Sequence, residues 1–399
     1  MIPQLTIHRE SDERRLLFLF SDTGGGHRST AMAVAEALHT LYGEQAQVTL
    51  VNVLADYAPW PLNRLEYIYP RIIRVGEWLW GVLYRLTDEP RRIALLMKAF
   101  RKWTRPAVRR LLSDHSADRI VSFHPGTNHL VLRALREESH ASLFVTMVTD
   151  LVTGHTLWFT PLVPWCLVPT PEARAAAVKN GLPAERVVVT GLPVASRFAA
   201  TAQERPSDVR RRLGLSTGCR TVMLLGGAEG MGALDRTVAR IAQQWSATGE
   251  PDMQIVVIAG RNKALADQLT AHSWPLPVYV RGFVRNIDEW MRAADLLITK
   301  AGPSTVSEAL VMGLPMVLSG ALPGQERPTV DYLVRGGAAI WAPTPGQIAR
   351  AVAELIANPS LLREMSIRAQ AMAQPDAARR VAEFVWNPPE AGSAPAATR

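Results

Sequence analysis

The sequence predicts an α/β protein built from two parallel-sheet domains that face a central cleft. Three observations predict it. Apolar runs of strand length alternate with helical stretches from Leu16 to Leu318. The alternation loosens once, from Gly191 to Ser207, and then resumes. Each half opens with a strand that runs into a glycine-rich turn, Gly24-Gly25-Gly26 in the first and Gly226–Gly232 in the second. Alternating strands and helices imply parallel pairing, because a parallel pair needs a crossover, and that crossover is right-handed. The expected division is residues 1–195, residues 196–375, and a crossing helix with a disordered tail over 376–399.

The elements follow in order. Residues 1–14 form a polar lead-in, and Leu16–Phe20 is a buried strand. Ser29–Leu41 is an Ala-rich helix, and Val48–Leu54 the second strand. Residues 60–112 read as helical pieces broken at Pro61, Pro70, Pro90 and Pro106. Strands return at Ile120–Phe123, at Leu143–Val148 (ending in Thr149-Asp150) and at Trp165–Val168. The second series comprises Val222–Leu225, Ile255–Ala259, Val278–Arg281, Leu296–Ile298 and Met316–Leu318. A helix near 376–386 is expected to pack across both halves. Residues 388–399, rich in Pro, Ala and Gly, read as disordered.

Composition excludes several classes. No apolar run approaches the roughly 18–20 residues that span a bilayer, and no secretory leader is visible. Cys166 and Cys219 lie far apart beside apolar runs and read as buried thiols, with no disulfide and no metal pair. A reducing cytoplasm is the expected compartment. The net charge of +8 is concentrated: from Trp60 to Leu112 there are 12 Lys/Arg against 4 Asp/Glu. The same stretch holds Trp60, Trp78, Trp80 and Trp103. Cations such as Arg91, Arg92, Arg101 and Lys102 among tryptophans suit an anionic membrane interface, with a solvated basic face over a tryptophan core as the plainer alternative. No nucleic-acid motif accompanies the charge.

The turns carry the chemistry. Gly25 and Gly26 let backbone amides approach a ligand at a helix start. His27 follows them and can act as a general base near neutral pH; Asp22 can orient it or serve as the base itself. In the second half, Gly227 belongs to a loop whose amides can bind a diphosphate without metal, and Arg261 can add charge there. Gly302-Pro303-Ser304-Thr305 opens a helix at a strand end, and Glu308 lies one turn inside it. A carboxylate there can accept two ribose hydroxyls. Gln325 and Glu326 follow a Pro-Gly turn after the next strand, where polar side chains can read sugar hydroxyls. Two nucleotide-scale crevices thus face each other, which points to a sugar-nucleotide transferase.

The stretches SDTGGGHRSTAMAVAEAL, VTDLVTGHTLWFTP, VTGLPV, VIAGRNKAL, VRGFVRNIDEWM, ITKAGPSTVSEAL and LPGQE resemble the monogalactosyldiacylglycerol synthase family. The likeness runs from about Ser21 to Ala342. It implies the glycosyltransferase-B fold, with two Rossmann-like domains. It also implies an inverting transfer of galactose or glucose from a UDP-sugar to the hydroxyl of 1,2-diacylglycerol. Phe283 and Val284 would then meet the uracil, Gly227 the diphosphate, Glu308 the ribose, and Gln325 and Glu326 the hexose. His27 would deprotonate the acceptor, which enters past Gly25, Gly26 and the basic aromatic segment. No metal or other cofactor is implied. The expected location is cytoplasmic, peripheral on the inner face of the cell membrane. Thr160 stands where much of the family has His, and Pro328 where a Gly-Asn-like pair is usual. The competing readings are an N-acetylglucosamine transferase acting on a polyprenyl-linked acceptor, a UDP-sugar 2-epimerase, and a non-catalytic binding module.

Overall fold

A computed structural model describes residues 13–23, 25–68, 76–138, 141–227, 230, 232–248 and 253–389. Most of the polar lead-in, Gly24, Pro70 and most of the tail read as disordered lie outside the described residues. Strands β1 (Arg14–Phe20), β2 (Ala46–Asn52), β3 (Arg119–Ser122), β4 (Leu143–Met147), β5 (Trp165–Val168) and β6 (Val187–Val189) form one sheet. Strands β7 (Arg220–Leu225), β8 (Met253–Ile258), β9 (Val278–Arg281), β10 (Leu296–Lys300), β11 (Met316–Gly320) and β12 (Ala339–Trp341) form the other. Their spatial orders are β2-β1-β3-β4-β5-β6 and β12-β11-β10-β7-β8-β9, and every pairing is parallel.

The register explains the apolar strands. Phe18 pairs with both Leu50 and Val121, so β1 is central. Leu16, Phe18 and Phe20 pack into one layer, and Leu17 and Leu19 into the opposite one. Both faces are covered by helices, so the strand is apolar at consecutive positions and not only at alternate ones. Each such Leu or Phe stabilises the fold by about 1.5–3 kcal/mol on burial.

In each sheet the chain builds first to one side and then to the other. The order reverses between β1 and β3 and between β7 and β10. The crevices at the carboxyl ends of those strands are where an open α/β sheet places its ligand. The C-terminal helix Ala377–Trp386 returns to the first domain. Trp386 stacks on Tyr42 at 4.1 Å, Phe384 meets Trp165 edge-on at 5.4 Å, and Arg380 Nε donates to the Thr190 carbonyl at 2.9 Å. Gly191 takes φ 84°, and a Cβ there would fall 2.8 Å from that of Ala377. The close approach therefore requires glycine.

Several boundaries differ from those read in the sequence. Val53 and Leu54 do not extend β2; they start a single helical turn that Asn52 caps by accepting from the Ala55 amide at 3.3 Å. The three-residue edge strands β6 and β12 are too short to show a periodicity. The helix Pro90–Asp114 runs through Pro106 without breaking. Thr104, Val108, Leu111 and Leu112 are buried on either side of the proline, and their packing outweighs the one backbone hydrogen bond its ring removes. Cys166 is buried, with its thiol pushed up to about 12 by desolvation, whereas Cys219 is partly exposed.

Candidate active site

The first crevice is built where β1 ends. Gly25 adopts φ 76° and the helix Gly26–Tyr42 begins beside it, with no side-chain cap and no acid in its first turn. The first amides of the helix are thus left for a ligand. Gly26 sits against the second domain: a Cβ there would lie 2.8 Å from Ser304 Oγ. The glycine corner of the first domain therefore meets the Gly302–Thr305 turn of the second across the cleft.

His27 is partly buried on that first helical turn. Its Nδ1 lies 2.9 Å from Thr149 Oγ1. His124 meets the ring edge-on at 5.0 Å, and Trp158 lies at 6.1 Å. Desolvation pushes His27 down to about 4, against the opposing pull of the Phe123 carbonyl and the Asp22 charge. The imidazole is neutral at pH 7, as a proton acceptor must be. Asp22 faces elsewhere. Arg28 forks its carboxylate at 2.7 and 2.5 Å, and Asn52 donates to it at 3.4 Å. Thr149, and not Asp22, is the side chain that holds the histidine ring.

The second crevice gathers most of the predicted donor residues. Gly227 takes φ 70° directly after β7. Residues 228, 229 and 231 of its loop lie outside the described residues. Arg261 lies over the Phe283 ring at 5.1 Å. Phe283 is exposed and Val284 packs against the core, so the pair forms an open flat platform after β8 and β9. Gly302 precedes the helix Pro303–Val311, whose amino end again carries no side-chain cap. Ser304 and Thr305 are partly exposed on its first turn. Glu308 follows, and burial pushes its carboxyl up to about 8, opposed by Arg197 and reinforced by Asp288.

The sugar-reading pair divides. Gln325 Nε2 donates to Asp150 Oδ1 at 3.0 Å, a bond between the domains. Glu326 is buried: Lys300 Nζ donates to its Oε1 at 2.7 Å and the Leu322 amide to its Oε2 at 2.8 Å. Thr149, Asp150, Trp158 and Lys300 were not predicted as site residues. Thr149, Asp150 and Lys300 share one sequence signal, a polar residue at or just past the carboxyl end of an apolar strand. Trp158 carries no comparable signal, being set within a loop.

The basic aromatic segment splits likewise. On the helix Glu77–Thr87, Trp78 is 70% exposed, and Leu79, Leu83 and Leu86 are also exposed. Arg91, Arg92, Lys102 and Trp103 are exposed on the next helix. Trp80 is partly buried beside Tyr84, and Arg101 is turned back to Glu137. Those two residues belong to the body side, because one helical step of 100° carries each away from its exposed neighbour. The inner face of Glu77–Thr87 seats on the sugar loop. A Cβ on Gly81 would lie 2.7 Å from Pro323 Cβ, and one on Gly324 would lie 2.9 Å from Tyr84 Cδ1. A cavity of about 680 Å³ opens beside this junction, lined by Arg85, Val152, Pro323, Arg327 and Trp341. Among the described residues, no helix is long and apolar enough to cross a membrane.

With this geometry in view, comparison with known proteins decides the family. Monogalactosyldiacylglycerol synthase 2 of Arabidopsis thaliana is 37% identical over 370 residues, 91% of this chain and 78% of the relative. The synthase of Spinacia oleracea is 36% identical, over 95% of this chain and 73% of its own.

The chain belongs to the monogalactosyldiacylglycerol synthase family.

The family's own model, monogalactosyldiacylglycerol (MGDG) synthase, matches residues 27–194, and the glycosyltransferase family 28 C-terminal domain matches 221–381. Among solved structures, MurG of Acinetobacter baumannii superposes with a TM-score of 0.61 at 18% identity, covering 93% of this chain and 99% of its own. HepE of Anabaena, in complex with UDP-glucose, gives 0.55 at 15%, with 93% and 99% covered. These establish the glycosyltransferase-B fold. As a member of the monogalactosyldiacylglycerol synthase family, the protein is a UDP-sugar glycosyltransferase that makes a glycolipid. The polyprenyl and epimerase readings are not favoured. The expected cytoplasmic location at the inner cell membrane is corrected: the family relatives are named as chloroplastic proteins. Reduced thiols and the lack of a spanning run do not distinguish one reducing compartment from another.

Proposed function

We propose that the protein transfers a hexose, galactose first and glucose next, from its UDP donor to the free hydroxyl of 1,2-diacylglycerol, inverting the anomeric centre to give a β-monohexosyldiacylglycerol. The observation that carries this reading is the close approach of Gly26, the residue before His27, to Ser304 on the first turn of the uncapped helix Pro303–Val311. A neutral base on the acceptor side thus stands opposite an anion-binding helix end on the donor side.

The residues divide the work. Thr149 engages Nδ1 of His27; the tautomer with its proton on Nδ1 leaves the Nε2 lone pair to take the acceptor proton. The alkoxide attacks C1 as the bond to the diphosphate breaks. Charge developing on the leaving diphosphate falls to the amides at Gly227, Ser304 and Thr305, aided by the dipole of the Pro303–Val311 helix. No divalent metal is assigned a step. Glu308 takes the ribose hydroxyls. The Arg261–Phe283 platform and the backbone at Val284 receive the uracil. Gln325 takes the hexose, and Glu326 supports that pocket from beneath, paired with Lys300. Asp22 is a charge partner of His27 and not its base, because Arg28 occupies its carboxylate.

Diacylglycerol stays in its bilayer, so the enzyme must dock there. Exposed Trp78, Leu79, Leu83 and Leu86 suit the headgroup and upper acyl region, and Arg91, Arg92 and Lys102 suit anionic headgroups. The test is transfer from labelled UDP-galactose or UDP-glucose into diacylglycerol vesicles, with and without a chelator. Labelled monohexosyldiacylglycerol in both conditions supports the reading. Loss of all product with the chelator removes the metal-free step, and no lipid product from either donor removes diacylglycerol as acceptor.

A further inference from the structure

Asp150 is a buried carboxylate, 7% exposed, with two neutral donors. Trp158 Nε1 donates to its Oδ2 at 2.7 Å, and Gln325 Nε2 to its Oδ1 at 3.0 Å. A carboxylate offers about four lone-pair sites, so accepting capacity remains. The neighbouring acid is treated differently: Glu326 receives the Lys300 ammonium and a backbone amide. Gln325 shows the same shortfall as Asp150. Its Oε1 is buried without a hydrogen-bond partner among the described residues.

Both unfilled positions are acceptors. Whatever completes them must donate, which excludes ionised phosphate, carboxylate and carbonyl groups; the hydroxyls of a polyol meet that requirement. The pair bridges the domains, on the sugar loop at one end and at the end of β4 at the other. Asp150 directly follows Thr149, the partner of His27, and Trp158 lies against the same imidazole. A polyol held here therefore lies beside the acceptor base.

We infer that Asp150 binds the donor hexose, accepting one of its hydroxyls while Gln325 Oε1 accepts another, so that the two domains read the sugar together. This rests on the hexosyl-transfer reading above. The bond between Asp150 and Gln325 is then one of the contacts that join the two domains across the cleft. Burial pushes Asp150 up to about 6. The charged and titratable groups facing it are Glu326 with its Lys300, Asp88, and Tyr84. Hexose recognition should weaken as pH falls through that value.

Asp150→Asn separates hexose binding from a structural role. The amide can still accept from Trp158 and can donate to Gln325 Oε1, which keeps the link between the domains, but it cannot be a carboxylate acceptor. Calorimetry with UDP and with UDP-hexose, at neutral pH and near pH 5, supplies the readout. The expected result is an unchanged Kd for UDP and an increase of about 10- to 100-fold in the ratio of the UDP-hexose Kd to that of UDP. The fall in hexose binding toward pH 5 should disappear in the variant. An unchanged ratio, or parallel loss of UDP and UDP-hexose binding, overturns the inference. Should Asp150→Asn fail to fold, Gln325→Ala leaves Asp150 held by Trp158 and must raise the same ratio; an unchanged ratio there also overturns it. A wild-type enzyme that binds UDP-hexose with this signature but gives no lipid product would refute the diacylglycerol reading alone.

Discussion

Thr149 Oγ1 lies 2.9 Å from His27 Nδ1, joining the end of β4 to the first helical turn after β1. The ring is held by an uncharged partner inside a desolvated corner, and both features keep it neutral. His27→Ala should therefore lower kcat by about 10²–10⁴-fold with the affinity for UDP retained. Thr149→Ser should keep most activity and Thr149→Val should lose it. Steady-state rates beside UDP titrations check all three variants.

The neutral histidine also has a cost. Folded His27 titrates near 4 and the unfolded side chain near 6.5. Between those values the unfolded chain binds a proton that the folded chain does not, so stability falls as pH drops through that window. His27→Asn should flatten the dependence of Tm on pH between about 6.5 and 4 relative to wild type.

Glu308 works in the opposite sense. Its folded carboxyl keeps its proton up to about 8, against 4.5 unfolded. Between those values the folded state holds more protons, so burial of Glu308 costs more stability as pH rises. Hydrogen bonds from ribose hydroxyls favour the ionised form, so UDP binding should release a proton at pH 7. Calorimetry in buffers of different ionisation enthalpy should give different apparent heats for wild type and converging heats for Glu308→Gln.

Lys300 and Glu326 form a pair in which the acid side chain is 3% exposed and the lysine 29%. Removing one partner strands the other, so Lys300→Met should destabilise by about 3–5 kcal/mol. Lys300→Met with Glu326→Gln should recover much of that loss. Urea unfolding of the two single variants and the double variant completes the cycle.

Gly81 and Gly324 let the exposed apolar helix sit directly on the sugar loop. Gly81→Val should push that helix from Pro323, retaining binding to diacylglycerol vesicles while lowering transfer. Trp78→Glu with Leu83→Glu should do the reverse, weakening vesicle sedimentation while leaving affinity for UDP intact. Added salt should reduce binding of the wild type to anionic vesicles more than to neutral ones.

The legible part of the fold was the buried strands, because a strand covered on both faces is apolar at consecutive positions. β1 could be read to within two residues for that reason. β6 and β12, at three residues each, lie below what a periodicity can reveal. Pro106 misled because its penalty is local, while the packing of Thr104 to Leu112 is tertiary. In the site, His27, Glu308 and Gln325 were marked by glycine and proline turns. Thr149 and Asp150 ended a recognised strand, but the groups they meet, His27 far back in the same domain and Gln325 in the other, are brought to them only by the folded chain. Lys300 was hidden similarly, since its partner lies 26 residues further on.

The proposed transfer is a single displacement at C1 of the donor by a lipid hydroxyl that His27 deprotonates. The anomeric configuration of the glycolipid, read by proton NMR on product made from an α-linked UDP-hexose and diacylglycerol, tests it most directly. Wild type should give a β-glycoside, and His27→Ala almost none. An α-glycoside, or undiminished β product from His27→Ala, would contradict it.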